Sequence, residues 1–207
     1  VIQFVVVMRN LATMKAKSVA SWSIAVVLLS GVIFVAGLRA GAESARYRVV
    51  EKSGKIEIRE YSPHVVATTS MSGAGESGSF GRLFQYISGE NSAHEKIAMT
   101  TPVFMPATSD GRATEMQFVV PSSVASAGAP KPSSNKVSLK KMPGGRYIAI
   151  RYNGRSNSKV KKAKLEELRA HLKAEGLRST GSPIFAGYDP PWTPAPVRRN
   201  EVLLKIR

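Results

Sequence analysis

The chain of 207 residues contains no cysteine. Disulfides, thiolate metal centres and cysteine nucleophiles are therefore excluded, while the cellular compartment stays open, because exported proteins also do without cysteine. Histidine is scarce. His64, His94 and His171 are too widely spaced for metal-ligand motifs, and no G-x-S-x-G elbow occurs. Glu166 and Glu167 sit in a Lys-rich helical stretch, where paired surface charge explains them. A non-catalytic protein with no metal-ligating residues is expected. Acids are few as well: 14 against 30 Lys and Arg, for a net charge of +16. That surplus attracts anions. No basic stripe is interleaved with aromatics in the manner that grips single-stranded nucleic acid, so no nucleic-acid partner is expected. What remains is ordinary for a globular domain, with 43% hydrophobic and 21% charged residues and enough chain to bury a sizeable core.

The N-terminal stretch reads as a targeting segment. From Met14, the expected start, Lys15 and Lys17 precede an apolar run that ends at Ala40-Gly41-Ala42. Basic, apolar and A-x-A parts in that order describe a secretory signal peptide cleaved after Ala42. The alternative is an uncleaved anchor, since Val19 to Leu38 carries no charge and is long enough to span a bilayer. The basic flank would keep the N-terminus inside. Residues 1–42 are thus a signal peptide or membrane anchor and 43–207 the functional domain. Either way that domain is exported, periplasmic or held on the outer side of the cytoplasmic membrane.

Residues 43–207 alternate between strand and helix patterns. Tyr47 to Val49 and Lys55 to Tyr61 alternate polar and apolar with period two, and Val65 to Met71 is β-branched. Phe80, Leu83, Phe84 and Ile87 recur at helical spacing, and Ser88-Gly89 ends that helix. Gly73 to Gly78 spells G-x-G-x-x-G, but the helix is short and no acid ends the next strand, so a flexible loop is expected rather than a dinucleotide site. Thr114 to Val120 reads as a strand, and Ser122 to Asn135 as a linker or surface loop. The second half repeats the first: strands at Lys136 to Lys141 and Tyr147 to Tyr152, and a helix over Ser158 to Glu175 with Val160, Leu165, Leu168 and Leu172 inward. Strands over Pro183 to Tyr188 and Glu201 to Ile206 close it. Neither strand-strand-helix-strand-strand half can bury its sheet face alone, so an α+β fold with both halves around one core is predicted.

Helix Phe80 to Ile87, followed by the extended run Ile97 to Val103 with its soft Met99, would make a wall for a large flat apolar ligand. The same region, YISGEN (Tyr86 to Asn91) and EKIAMTTPV (Glu95 to Val103), resembles the signature of the SOUL heme-binding protein family. Gly187 to Trp192 (GYDPPW) and Arg198 to Val202 (RRNEV) resemble that family's C-terminal signature. The resemblance covers roughly Arg46 to Ile206. It implies a distorted antiparallel barrel-like sheet carrying two helices, and heme or another porphyrin as a non-covalent ligand. Phe80, Phe84 and Met99 are the expected wall, and Arg82 and Lys96 the expected partners of the propionates. The proline-stiffened stretch Asp189 to Pro194 is expected to clamp the last strand, with Arg198 and Arg199 paired to Asp189 or Glu201 or, alternatively, facing ligand propionates. No histidine is expected to be an essential iron ligand. Some relatives carry His directly after the Arg that ends the second strand, where this chain has Glu60. The alternative function is a small-molecule sensing or partner-binding module related to the effector-binding domains of regulators. A third is an envelope-associated structural protein.

Overall fold

The computed structural model describes residues 42–207, so the expected leader, but for Ala42, lies outside the described residues. Nine strands form one sheet: β1 (Tyr47–Ser53), β2 (Ile56–Tyr61), β3 (His64–Ser70), β4 (Val103–Pro106), β5 (Glu115–Val119), β6 (Ser138–Met142), β7 (Gly145–Asn153), β8 (Ile184–Gly187) and β9 (Arg199–Lys205). The helices are α1 (Gly75–Ile87), α2 (Ser122–Ala127) and α3 (Ser158–Ala174). Every strand pairing is antiparallel, and the order is β1-β2-β7-β9-β8-β4-β5-β3-β6 in a curled half-barrel.

Without β1 that order is symmetric about the β8–β4 contact. β2 flanks β7 of the second half, and β6 flanks β3 of the first. Each half lends its first strand to the other, which is why neither completes a sheet alone. The crossover is tight: a Cβ on Gly144 would lie 2.4 Å from the Tyr61 carbonyl oxygen, and its φ of 76° is itself a glycine conformation.

Alternation along the strands separates two faces. On one, α3 lays Leu165, Leu168 and Leu172 over Ile58, Ile148, Ile150, Phe185, Val202 and Leu204. On the same face α1 covers Ala67, Met116 and Phe118 with Leu83, Tyr86 and Ile87. The other face carries neither α1 nor α3; Tyr61, Val66, Phe104, Val119, Ala149, Tyr188 and Leu203 pack there against one another.

Three segments differ from expectation. Gly75 and Gly78 belong to the first turn of α1 rather than to a loop, with Gly73 and Gly75 at positive φ making the entry. Ser122–Ala127 is a short helix inside the expected linker; it starts after Pro121, and Glu43 Oε1 accepts the Ser122 N–H. Ile97 to Pro102 is not a sheet strand, making only an isolated bridge from Thr101 to Ser44, and β4 begins only at Val103. Among the described residues no helix is long and apolar enough to cross a membrane.

Candidate functional site

Helix α1 is the element the sequence singles out, and its packing is lopsided. Its buried stripe is Ser79, Leu83, Tyr86 and Ile87. Phe80 and Phe84, at 38% and 51% exposure, lie on one flank of that stripe. Their rings stack with centroids 6.0 Å apart, and Phe80 meets Phe118 edge-on at 5.1 Å. Arg82 is on the opposite flank, since 100° per residue puts it about 160° from either phenylalanine. Its Nη1 donates to Thr69 Oγ1 at 3.3 Å and the Ser70 carbonyl at 3.1 Å, which ties α1 to the end of β3. Met99, 37% exposed, lies in the segment held by Ile97 N–H to the Ile87 carbonyl and by Thr100 Oγ1 to the Val119 carbonyl. Lys96 is exposed on the same segment. The structure thus brings Phe80 and Phe84 together and sets Arg82 apart from them.

The residues that carry the family resemblance are largely structural. Tyr86 Oη donates to the Pro130 carbonyl at 3.0 Å. Asn91, fully buried, donates from Nδ2 to the carbonyls of Tyr86 and Glu95, and its Oδ1 accepts the N–H groups of Ala93 and Glu95. One amide side chain therefore organises the whole bend after α1. In the C-terminal block, Asp189 Oδ2 accepts the Arg199 N–H at 2.6 Å, and Arg198 donates to the carbonyls of Pro191 and Thr193. This is the clamp on β9 that the sequence suggests.

A buried polar network that spacing alone does not reveal lies on the face without the long helices. Arg59 of β2 grips Glu201 of β9 with two bonds, Nη1 to Oε2 at 2.6 Å and Nη2 to Oε1 at 3.0 Å. Tyr188 Oη donates to Glu201 Oε2 and Arg199 to Glu201 Oε1, while Glu57 accepts from Arg59 Nε. Arg199 also lies 3.7 Å over the Tyr188 ring, and Arg59 4.4 Å over Tyr47. Burial pushes the Glu201 carboxyl up, but the two guanidiniums outweigh it and hold the carboxyl below its ordinary value. Burial also raises Tyr61 to about 12 and Tyr188 well above its usual range. Among the described residues no buried polar side-chain atom lacks a partner. The only sequence signal for this network is charge on alternate residues of two strands, Glu57 and Arg59 in β2 and Arg199 and Glu201 in β9.

A cleft of about 290 Å³ opens where residues 43–46, the β2–β3 turn, the C-terminal ends of β5 and β6, and α2 converge. His64 lines it, next to Met142, its partner across β3 and β6. His94 is exposed in the bend before Lys96, and His171 is half-buried on α3. Among the described residues no three His, Asp or Glu side chains gather as a metal site.

Comparison with known proteins gives one family. The model of the SOUL heme-binding protein family matches residues 42–205. Among curated proteins none matches the chain. Solved structures share the fold at low identity. The C-terminal domain of EcmrR aligns with a TM-score of 0.53 at 12% identity, over 78% of this chain and 98% of that one. An uncharacterized conserved protein from Listeria innocua gives 0.54 at 12%, over 74% and 92%. A hydrolase from the same organism gives 0.53 at 9%, over 76% and 94%. At these identities the likeness is one of fold alone.

Proposed function

The chain belongs to the SOUL heme-binding protein family, and from that premise we propose that it is an exported, non-catalytic protein that holds heme or a related tetrapyrrole non-covalently on the aromatic flank of α1. The observation that carries this reading is the stacked, exposed Phe80–Phe84 pair on a helix whose neighbouring stripe, Ser79, Leu83, Tyr86 and Ile87, is buried. Exposed aromatic area of this kind on an otherwise covered element marks a binding surface. The macrocycle would lie against Phe80, Phe84 and Met99. Lys96 would face a propionate, and Arg82 would support the helix from its other flank. Bound heme supplies its own iron chemistry; the chain's residues bind and orient it.

Absorbance titration of the purified protein with heme and with metal-free porphyrin tests the reading. Both should bind, and Phe84→Ala should weaken metal-free porphyrin by about tenfold or more, the scale of one buried aromatic contact. Failure of both to bind would overturn it. The export part is tested separately: mass spectrometry of the native protein should find Glu43 at the N-terminus, outside the cytoplasmic membrane. A small-molecule sensing module related to regulator domains is the second reading, favoured by the fold shared with the EcmrR domain; a cationic or neutral drug-like ligand that displaces porphyrin would support it.

A further inference from the structure

Resting on the reading that the ligand is a tetrapyrrole, we propose that the cleft beside His64 is a second, iron-dependent heme site, with His64 Nε2 as the ligand to iron. The ring is set up for that role. Its Nδ1 lies 2.9 Å from the Ser62 carbonyl, which can only accept, so the proton sits on Nδ1. In the neutral ring the lone pair is then on Nε2, which makes no hydrogen bond among the described residues. Second-shell anchoring of this kind fixes the tautomer and orientation of ligating histidines. Packing holds the ring as well, with centroids 6.5 Å from Tyr61 and 6.3 Å from Phe104.

The surroundings suit a flat apolar dianion. Pro63, Val65, Val119 and Met142 supply apolar lining. Arg46 and Lys141 stand exposed on the same cleft, and neither forms an ion pair with a described residue. They are available for carboxylates. Glu43, the one acid in the lining, spends an oxygen on the Ser122 N–H. Glu60, where some relatives have histidine, is instead exposed and paired with Arg48. At about 290 Å³ the cleft is at the small end of ligand pockets, so it takes part of a macrocycle and leaves the rest in solvent.

This site is separate from the aromatic flank of α1. Val119 lines the cleft, whereas Phe118, the next residue on β5, points to the helix-bearing face and touches Phe80. The two sites should therefore differ in what they require. The flank needs a flat apolar face; the cleft needs iron.

The test compares wild type, His64→Phe and Phe84→Ala, each titrated with heme and with metal-free protoporphyrin. His64→Phe keeps the ring against Tyr61 and Phe104 but removes the nitrogen. It should lower heme affinity by at least about tenfold and abolish the nitrogen-ligand signature in the electron paramagnetic resonance spectrum, with metal-free porphyrin unaffected. On the unmodified protein, heme but not metal-free porphyrin should protect His64 from diethyl pyrocarbonate, read by peptide mass spectrometry. Heme binding with an unchanged spectrum in His64→Phe, or equal protection by both porphyrins, would overturn the proposal and leave the flank reading standing. Loss of heme in His64→Phe with Phe84→Ala silent would support the cleft and sink the flank. If neither porphyrin binds wild type, both fall.

Discussion

Two ion pairs occupy equivalent places in the two halves. Arg59 of β2 is opposite Tyr147 of β7, itself opposite Lys205 of β9, and its partner Glu201 lies four residues back along β9. Lys140 of β6 is opposite Val66 of β3, itself opposite Val119 of β5, and its partner Glu115 lies four residues back along β5. The crossing geometry is the same, yet Arg59 and Glu201 are 1% and 0% exposed while Lys140 and Glu115 are 47% and 33%. The helices differ in the same sense. Helix α3 buries Leu165, Leu168 and Leu172 completely, whereas α1 leaves Phe80 and Phe84 in solvent. One half has been sealed by tyrosines and by β1; the other keeps an open edge and a half-covered helix. The difference is one of burial: the β2-β7-β9-β8 half covers its ion pair and its helix, the other leaves apolar and charged side chains exposed, and the following measurements test whether stability follows the same division.

The largest effect should come from Glu201→Ala. It leaves the buried Arg59 and the half-buried Arg199 without their shared carboxylate, a loss of about 3–5 kcal/mol. Urea denaturation should show it as a large fall in midpoint, or as failure to fold. A midpoint near that of wild type would mean that the network is not what seals this half. Leu168→Ala, under α3, should cost about 2–5 kcal/mol, while Phe84→Ala on the α1 flank should cost less than about 1 kcal/mol because little of it is packed. Equal losses would show that α1 is as deeply packed as α3 and that its flank is core.

The pH dependence reports on the buried network of the sealed half. Glu201 is held below its ordinary 4.5, so it contributes stability above that pH, and the contribution is lost as pH falls through the lower folded value. Tyr61 is raised from 10 to about 12, so its contribution is complete below pH 10 and lost as pH rises toward about 12. Stability curves for Glu201→Gln should be flatter on the acid side, and those for Tyr61→Phe flatter on the alkaline side. The smallest effect belongs to Lys140→Ala, at about 0–1 kcal/mol, the range of exposed ion pairs. A loss approaching that of Glu201→Ala would mean that the two pairs are equivalent after all.

Much of this molecule could be read from residue order. Alternation marked β2 and β6, repetition of the first half marked β7, and helical spacing marked α3 with Leu165, Leu168 and Leu172 inward. Resemblance at Tyr86 to Asn91 and Glu95 to Val103 identified the family that the comparison found. It did not reveal that Tyr86 and Asn91 serve the fold, because a hydrogen bond to Pro130 or to a bend carbonyl leaves no trace in spacing. The short helix α2 was hidden for a similar reason: six residues of Ser, Val and Ala carry no full period, and Glu43, 79 residues away, supplies the N-terminal bond.

The sequence by itself determined the local elements, their repetition and the need of each half for the other, because periodicity is a property of neighbours along the chain. Only the tertiary structure decided which flank of α1 is covered, which strands are exchanged, and that Arg59 meets Glu201 142 residues later. Periodicity states that Phe80, Leu83, Phe84 and Ile87 are close around a helix. Which of them finds cover depends on where β3 and β5 place Ala67 and Phe118 beneath it. The same holds for His64, a turn residue in the sequence. It becomes part of a cleft only because β6, β5 and residues 43–46 converge on it from distant parts of the chain.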